Sequence, residues 1–368
     1  MKILGIIAEY NPLHNGHIFH MQKAKKNTNA HIAIAAITGN FAQRGLPAKL
    51  NKYSKTQIAL ENGIDIVIEI PTFYGTASAE HFARYSVKLL ELSGINALSF
   101  GAECTEIEKL LEISSFLEKE NALFTQNLKE NLKKGLNFPK AREKALDAAS
   151  HPLDNSIINH PNNILAIEYL KYLPNHINPY LIERNQNLTS ATKIGELLKE
   201  ENWEEINKAV PPSILEKLKL NRLITLNDFS QLFHYSFKNV EKNSEKIFDL
   251  NDELYNRIKK SKSFLLEDLI EEVACKNYTK TRIQRALVHT FLNIKKEDIT
   301  YDIPFIRILG FRKEKQDYLK EIEKNTEIIT NIKNKKHLLI EKEIFASDVF
   351  YGALGQKNNI EYKFPVVV

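Results

Sequence analysis

The chain has 368 residues, 43% of them hydrophobic and 26% charged. These values are close to globular averages, which excludes a disordered or collagen-like chain and leaves room for two or three domains. The two cysteines, Cys104 and Cys275, are isolated, and the net charge of +5 is uneven: residues 1–210 carry 23 basic and 23 acidic residues, residues 211–368 carry 28 and 23.

That cysteine usage offers neither a disulfide framework nor a zinc spacing and fits a reducing cytoplasm. The C-terminal excess of Lys and Arg suits a polyanionic partner, or is an ordinary basic surface. No apolar stretch reaches about 18 residues, so no membrane span is expected. The first apolar run is too short for the core of a signal peptide.

Residues 2–8 form a continuous apolar run closed by Asn11-Pro12, the pattern of a strand buried on both faces. Residues 15–27 read as a helix, and 31–37 repeat the buried-strand signal before Thr38-Gly39-Asn40. A helix over 53–62 stops at Gly63, a strand over 65–70 stops at Pro71, a helix over 77–92 stops at Gly94, and a strand over 95–100 precedes Gly101. Strands alternating with helices predict βαβ units and a parallel sheet. Residues 103–172 are mostly helical, 177–182 a last strand and 190–200 a helix. Beyond Pro211-Pro212 the chain reads as helix-dominated, with no strand alternation before the final KFPVVV. The expected fold is an α/β parallel-sheet (Rossmann-like) domain over 1–200 and a mainly helical domain over 201–368.

The sharpest motif is His14-Asn15-Gly16-His17, directly after the first strand and opening the first helix. Ligands of open α/β sheets bind at the carboxyl ends of strands. A helix N-terminus presents free N–H groups and partial positive charge to phosphate. Two imidazoles three residues apart share one face of the first turn and can donate hydrogen bonds where phosphoryl charge builds up. The alternative is a pair of histidines that merely cap a helix. P-loop, dinucleotide, zinc-protease and serine-hydrolase motifs are all absent from the sequence.

The segment GIIAEYNPLHNGHIFH (5–20) resembles the N-terminus of the bacterial tRNA(Met) cytidine acetate ligase family, within the H-x-G-H nucleotidyltransferases. The resemblance continues through ITGNFAQRGLPA (37–48), ALENGIDIVIEIP (59–71), SFGAE (99–103), HPNNILAIEYLK (160–171) and PFIRILGF (304–311), and so spans nearly the whole chain. It implies a parallel-sheet transferase that activates acetate with ATP, forms acetyl-adenylate and acetylates N4 of the wobble cytidine of elongator tRNA(Met). The implied catalytic pair is His14 and His17. The implied ATP contacts are Ile7, Ala8, Glu9, Tyr10, Asn11, Pro12, Leu13, His14, Asn15, Gly16, His17 and His20, with Gly101, Asn162 (or Asn163), Arg184, Ser190, Thr192 and Lys193. Mg²⁺ is expected to travel with ATP, without a carboxylate cage for a metal of its own.

Asn40 and Arg44 are expected near acetate or the cytidine, though a loop held by its own hydrogen bonds explains them too. For tRNA, Arg282, Arg285 and His289 fall at i, i+3, i+7 on one helical stripe, flanked by Lys276 and Lys280. A second basic group surrounds Gly310 with Arg307, Arg312 and Lys313. One departure stands out. The family's Ser-x-Thr-x-Ile-Arg phosphate motif reads Ser190-Ala191-Thr192-Lys193-Ile194-Gly195. A lysine is a point charge rather than a fork, so Lys193 is an imperfect substitute. Two other readings therefore stay open: a nucleotide- or tRNA-binding homologue with impaired catalysis, and a nucleotidyltransferase with a small phosphate-ester acceptor.

Overall fold

The computed structural model describes residues 1–118, 122–134, 136, 138–148, 157–158, 160–185, 187–240, 244–357 and 360–368. In chain order the first hundred residues give β1 (Ile3–Ala8), α1 (Asn15–Thr28), β2 (Ile32–Thr38), a hairpin of β3 (Phe41–Ala42) and β4 (Leu46–Pro47), α2 (Lys52–Glu61), β5 (Ile66–Ile70), α3 (Thr72–Gly75), α4 (Ala79–Leu92) and β6 (Ala97–Ala102). Helices α5 (Ile107–Glu118), α6 (Ala122–Lys133), α7 (Phe138–Ala148) and α8 (Pro161–Lys171) precede β7 (Asn178–Glu183). Then come α9 (Ala191–Lys199), α10 (Trp203–Ala209), α11 (Pro212–Leu220), α12 (Ser230–Asn239), α13 (Asp252–Lys260), α14 (Leu266–Val273) and α15 (Lys280–Phe291). The chain closes with β8 (Phe305–Phe311), α16 (Tyr318–Glu323), β9 (Glu327–Ile329), α17 (Leu338–Ala353) and β10 (Val366–Val367).

The apolar runs become the middle of one sheet, in the order β10-β8-β5-β2-β1-β6-β7, with β9 also on β8. Strands β5, β2, β1, β6 and β7 are parallel, as the alternation predicts. All seven residues of β2 are buried, because each face of the strand serves a different core. Ile32, Ile34 and Ala36 join α4, α8 and the C-terminal helices. Ala33, Ala35 and Ile37 join α1, α2 and α9.

The C-terminal part departs from the helical expectation. Residues 305–311 form the fully buried strand β8, antiparallel to β5, and β10 lies beside it. A boundary at residue 200 therefore cuts through a shared sheet and a shared core. The segment escapes recognition because Arg307 interrupts an apolar run that otherwise reads as a strand. Its charge is neutralised from within the fold: Nη1 lies 3.0 Å from Glu69 and Nη2 2.7 Å from Glu361. Lys52 joins the same cluster, with Nζ 2.5 Å from Glu69, 2.7 Å from Glu361 and 3.5 Å from Glu343. Arg307 is thus a buried structural cation and not part of a basic RNA-facing group.

Candidate active site

The sheet order reverses at β1, whose neighbours are β2 on one side and β6 on the other. The crevice outside the carboxyl end of such a strand is where open α/β sheets take ligands. Immediately after β1, Tyr10 adopts a left-handed backbone (φ 47°) and a cis Asn11–Pro12 bond follows. Tyr10 and Leu13 are buried in the core beneath the loop. Asn11 is tied to the β4 region, its Oδ1 accepting from the Lys49 amide at 2.8 Å. Asn15 donates to the Lys208 carbonyl at 2.9 Å. Both asparagines anchor the loop, while Ile7 and Ala8 complete the half-buried end of β1.

His14 is the N-cap of α1. Its Nδ1 accepts from the Gly16 amide at 3.0 Å, and His17 Nδ1 accepts from the His14 amide at 3.2 Å. Backbone N–H groups only donate, so both rings carry their proton on Nε2. Among the described residues neither Nε2–H has a protein partner. The two rings lie 3.8 Å apart. Burial and the nearby Arg184 lower the His14 pKa to about 4. Burial, aided by His14, His20 and Arg184, holds His17 well below the ordinary value. The motif is thus a pair of neutral donors, already oriented by the helix cap. His20, lowered to about 4 by burial, bonds Ser99 at 2.9 Å on β6. At Gly16 a Cβ would sit 2.8 Å from His14 Cε1, so any side chain there would push the His14 ring from its place.

An open cleft of about 340 Å³ lies beyond β6 and β7, lined by Ala102, Glu103, Glu183, Arg184, Asn185, Leu188 and Ser190. Glu103 organises one wall. Its carboxylate accepts from Asn162 Nδ2 at 2.6 Å, the Asn163 amide at 3.1 Å and Arg184 Nη1 at 3.1 Å. Asn163 is buried, with Oδ1 receiving the Glu103 and Cys104 amides. It shapes the wall, and Asn162 is the half-exposed member of the pair. Gly101 sits on β6, where a Cβ would meet Arg184 Cγ only at 3.7 Å. Ser190 caps α9 by accepting from the Lys193 amide at 3.2 Å, and Thr192 is exposed in the first turn. The Lys193 ammonium pairs with Glu196 at 3.0 Å, so in this arrangement it does not stand in for an arginine. A side chain at Gly195 would enter open space.

Sequence reasoning alone does not single out Glu103, although it closes the SFGAE block. Lys55 is a second such residue. Its buried Nζ donates to the carbonyls of Thr38 (2.8 Å), Gly39 (2.8 Å) and Glu9 (3.0 Å), clasping the carboxyl ends of β1 and β2. Burial lowers its pKa to about 7. Burial raises Glu9, opposed by Arg44, the Gln43 amide and Lys55.

Two sets of expectations need correction. Asn40 is only 2% exposed and spends its amide on Ser347 Oγ (2.8 Å) and the Lys52 amide (3.1 Å). It is a structural residue, while Arg44 is exposed. On α15, His289 is 0% exposed and lies 3.0 Å from Thr76 Oγ1. Arg285 pairs with Asp249 at 2.7 Å. The stripe faces inward because α15 packs its basic side over Phe248 and Asp249. Only Lys276 and Lys280 are exposed, with Lys280 2.5 Å from Glu271, while Arg282 lies over the Tyr278 ring.

A parallel sheet with helix-capping histidines at its reversal point is the architecture of the H-x-G-H nucleotidyltransferases. A family model described as HIGH Nucleotidyl Transferase matches residues 1–363. The chain is 39% identical to the tRNA(Met) cytidine acetate ligase of Thermoanaerobacter sp. (strain X514), over 98% of this chain and 96% of that one. It is 37% identical to that of Caldanaerobacter subterraneus subsp. tengcongensis over all of both chains. The solved structure of Thermotoga maritima TmcAL bound with alpha-thio ATP superposes with a TM-score of 0.91 at 28% identity, covering 100% of both chains. The chain belongs to the tRNA(Met) cytidine acetate ligase family of HIGH nucleotidyltransferases.

Proposed function

We propose that this chain is an ATP-dependent tRNA cytidine acetate ligase. Acetate oxygen attacks the α-phosphate of ATP, giving acetyl-adenylate and pyrophosphate. N4 of the wobble cytidine of elongator tRNA(Met) then attacks the acetyl carbonyl, giving N4-acetylcytidine and AMP. The observation that carries the reading is the pair of neutral Nε2–H donors capping α1 at the sheet's reversal point. Donors fixed before reaction suit phosphoryl transfer, where catalysis is positioning and charge stabilisation.

In this reading His14, His17 and the first turn of α1 hold the triphosphate. Gly101, Asn162 and Arg184 take the nucleoside side, and Ser190 and Thr192 the second phosphate contact. Arg44, whose charge acts on half-buried Glu9, supplies a cation for acetate. Mg²⁺ enters on the triphosphate; among the described residues no group of three or more His, Cys, Asp or Glu is placed to hold a metal. No described helix is long and apolar enough to cross a membrane, and a tRNA substrate places the reaction in the cytoplasm. Lys276, Lys280 and Arg282 stay candidates for backbone phosphates.

The test is acetate-dependent ATP–pyrophosphate exchange, followed by acetyl transfer to tRNA(Met). Exchange that needs a phosphate ester in place of acetate supports a different transferase. The second reading, impaired catalysis, is favoured by Gly195 and the Lys193–Glu196 pair. It predicts nucleotide binding without exchange.

Gly16→Ala sharpens the assignment. The new Cβ displaces the His14 ring, and a misplacement of about 1 Å costs about 100-fold in rate. Alanine is a better helix former than glycine by about 1 kcal/mol, so the melting temperature is retained. Full exchange activity in this variant would sink the proposed histidine geometry.

A further inference from the structure

Phe264 is 58% exposed and Tyr235 70% exposed, and the surroundings of Phe264 are firmly built. The Phe264 ring stacks on His234, with centroids 4.9 Å apart and planes at 17°. Its carbonyl lies 2.9 Å from His234 Nε2. The turn before it is fixed by one carboxylate. Glu272 accepts from Ser261 Oγ (2.6 Å), Ser263 Oγ (2.9 Å), and the amides of Lys262 (3.2 Å) and Ser263 (3.3 Å). An exposed aromatic held this way keeps its hydration cost without relief unless something covers it.

The surrounding charge says what covers it. Lys259 and Lys260 at the end of α13 and Lys262 in the turn after it are exposed. Residues 256–266 contain no carboxylate of their own, and Glu272, which reaches the turn from α14, has its oxygens engaged by Ser261, Lys262 and Ser263. On α12, Gln231, Tyr235 and Lys238 form an exposed stripe at i, i+4, i+7, again in a helix without a carboxylate. Flat exposed rings bordered by lysines match single-stranded nucleic acid, whose bases stack while its phosphates are neutralised.

The position fits as well. Glu267, on the first turn of α14, pairs with Lys199 at the end of α9 at 3.1 Å. The cap of α9, Ser190, lines the cleft described above. Nine helical residues span about 13 Å, the length of about four stacked bases at 3.4 Å.

We propose that Phe264, backed by His234 and flanked by Tyr235 and the 257–262 basic turn, is a stacking platform for an unpaired base of the substrate RNA, apart from the cytidine being modified. The inference rests on the tRNA reading above and adds the surface that holds the loop.

The experiment is titration of elongator tRNA(Met) transcript onto the full-length protein at fixed salt, for wild type, Phe264→Ala and Phe264→Trp. Loss of one stacked base predicts about tenfold weaker binding for Phe264→Ala, with Phe264→Trp within about twofold of wild type. Lys260→Ala lowers the salt dependence by about one phosphate contact. Wild-type binding left unchanged by Phe264→Ala overturns the platform alone, as does equal weakening by alanine and tryptophan. A wild type that neither binds nor acetylates tRNA overturns the functional reading, and the platform with it. A second copy of the chain is the rival occupant. A wild-type dimer in sedimentation that Phe264→Ala dissociates, with tRNA binding unchanged, overturns the proposal in its favour.

Discussion

Replacing His17 with alanine lowers acetate-dependent ATP–pyrophosphate exchange by about 10²–10³-fold, the range seen when one fixed donor to a developing oxyanion is lost. The ring contributes twice. Its Nδ1 receives the His14 amide and closes the cap of α1, and its Nε2–H is left for a phosphoryl oxygen. Asparagine at position 17 can still accept at the cap but does not reach as far, so it keeps the fold and recovers little rate. Exchange by His17→Ala within about threefold of wild type would refute the donor role.

The same geometry fixes the pH behaviour. With Nδ1 already accepting, protonation would force a second hydrogen against a backbone N–H, and burial opposes the charge as well. No acidic limb from these histidines is therefore expected in the exchange rate between pH 8 and about pH 5. Stability behaves differently. His14, His20 and His289 stay neutral in the native state down to about pH 4, whereas in the unfolded chain they take up protons near pH 6.5. The unfolded state then binds more protons between those values, so stability is full above pH 6.5 and is lost as pH falls toward 4. Melting temperatures at pH 7 and pH 5 check the sign.

Lys52→Met produces the largest loss of stability, about 3–5 kcal/mol, as expected when one partner of a buried ion cluster is removed. Methionine keeps most of the volume, so the cost is electrostatic. Glu69 and Glu361 lose an ammonium at 2.5 Å and 2.7 Å, and among the described residues Arg307 is the cation left paired with both. Burial and Glu69 raise Glu343 to about 7, which brings the set of two cations and two ionised carboxylates close to neutrality. Adding Glu361→Gln removes one of the stranded charges and recovers part of the loss. Denaturant unfolding of the single and double variants decides the matter. A loss below about 1 kcal/mol for Lys52→Met would mean that hydrophobic contacts, not the ion cluster, hold the C-terminal segment in place.

Local chemistry that needs only neighbours was legible in the sequence. Strands β1 and β2 announce themselves as continuous apolar runs, and helix α9 is found within a residue of its Ser190 cap. The H-x-G-H motif declares its position because strand, loop and helix are contiguous. What escaped depends on distant partners. Arg307 reads as surface charge until Glu69 and Glu361 are brought beside it. His289 sits on a plausible basic stripe until α15 is seen to press that side onto Thr76 and Phe248. Asn40 looks like a ligand group until Ser347, more than three hundred residues away, takes its amide. Periodicity gives a face of a helix but not which way the face turns.

The Lys52–Glu343 contact spans 291 residues of sequence. At about 5–20 residues per second on the ribosome, Lys52 and Glu69 exist for roughly 15–60 s before their last partners are made. The strand that covers the outer edge of β5, Phe305–Phe311, also comes late in synthesis. The nascent chain therefore carries a complete H-x-G-H loop on an unfinished sheet, with the apolar outer edge of β5 open and Lys52 paired with Glu69 alone. Vectorial synthesis thus delivers the cleft-lining residues, 102–190, well before the segment that closes the opposite edge of the sheet.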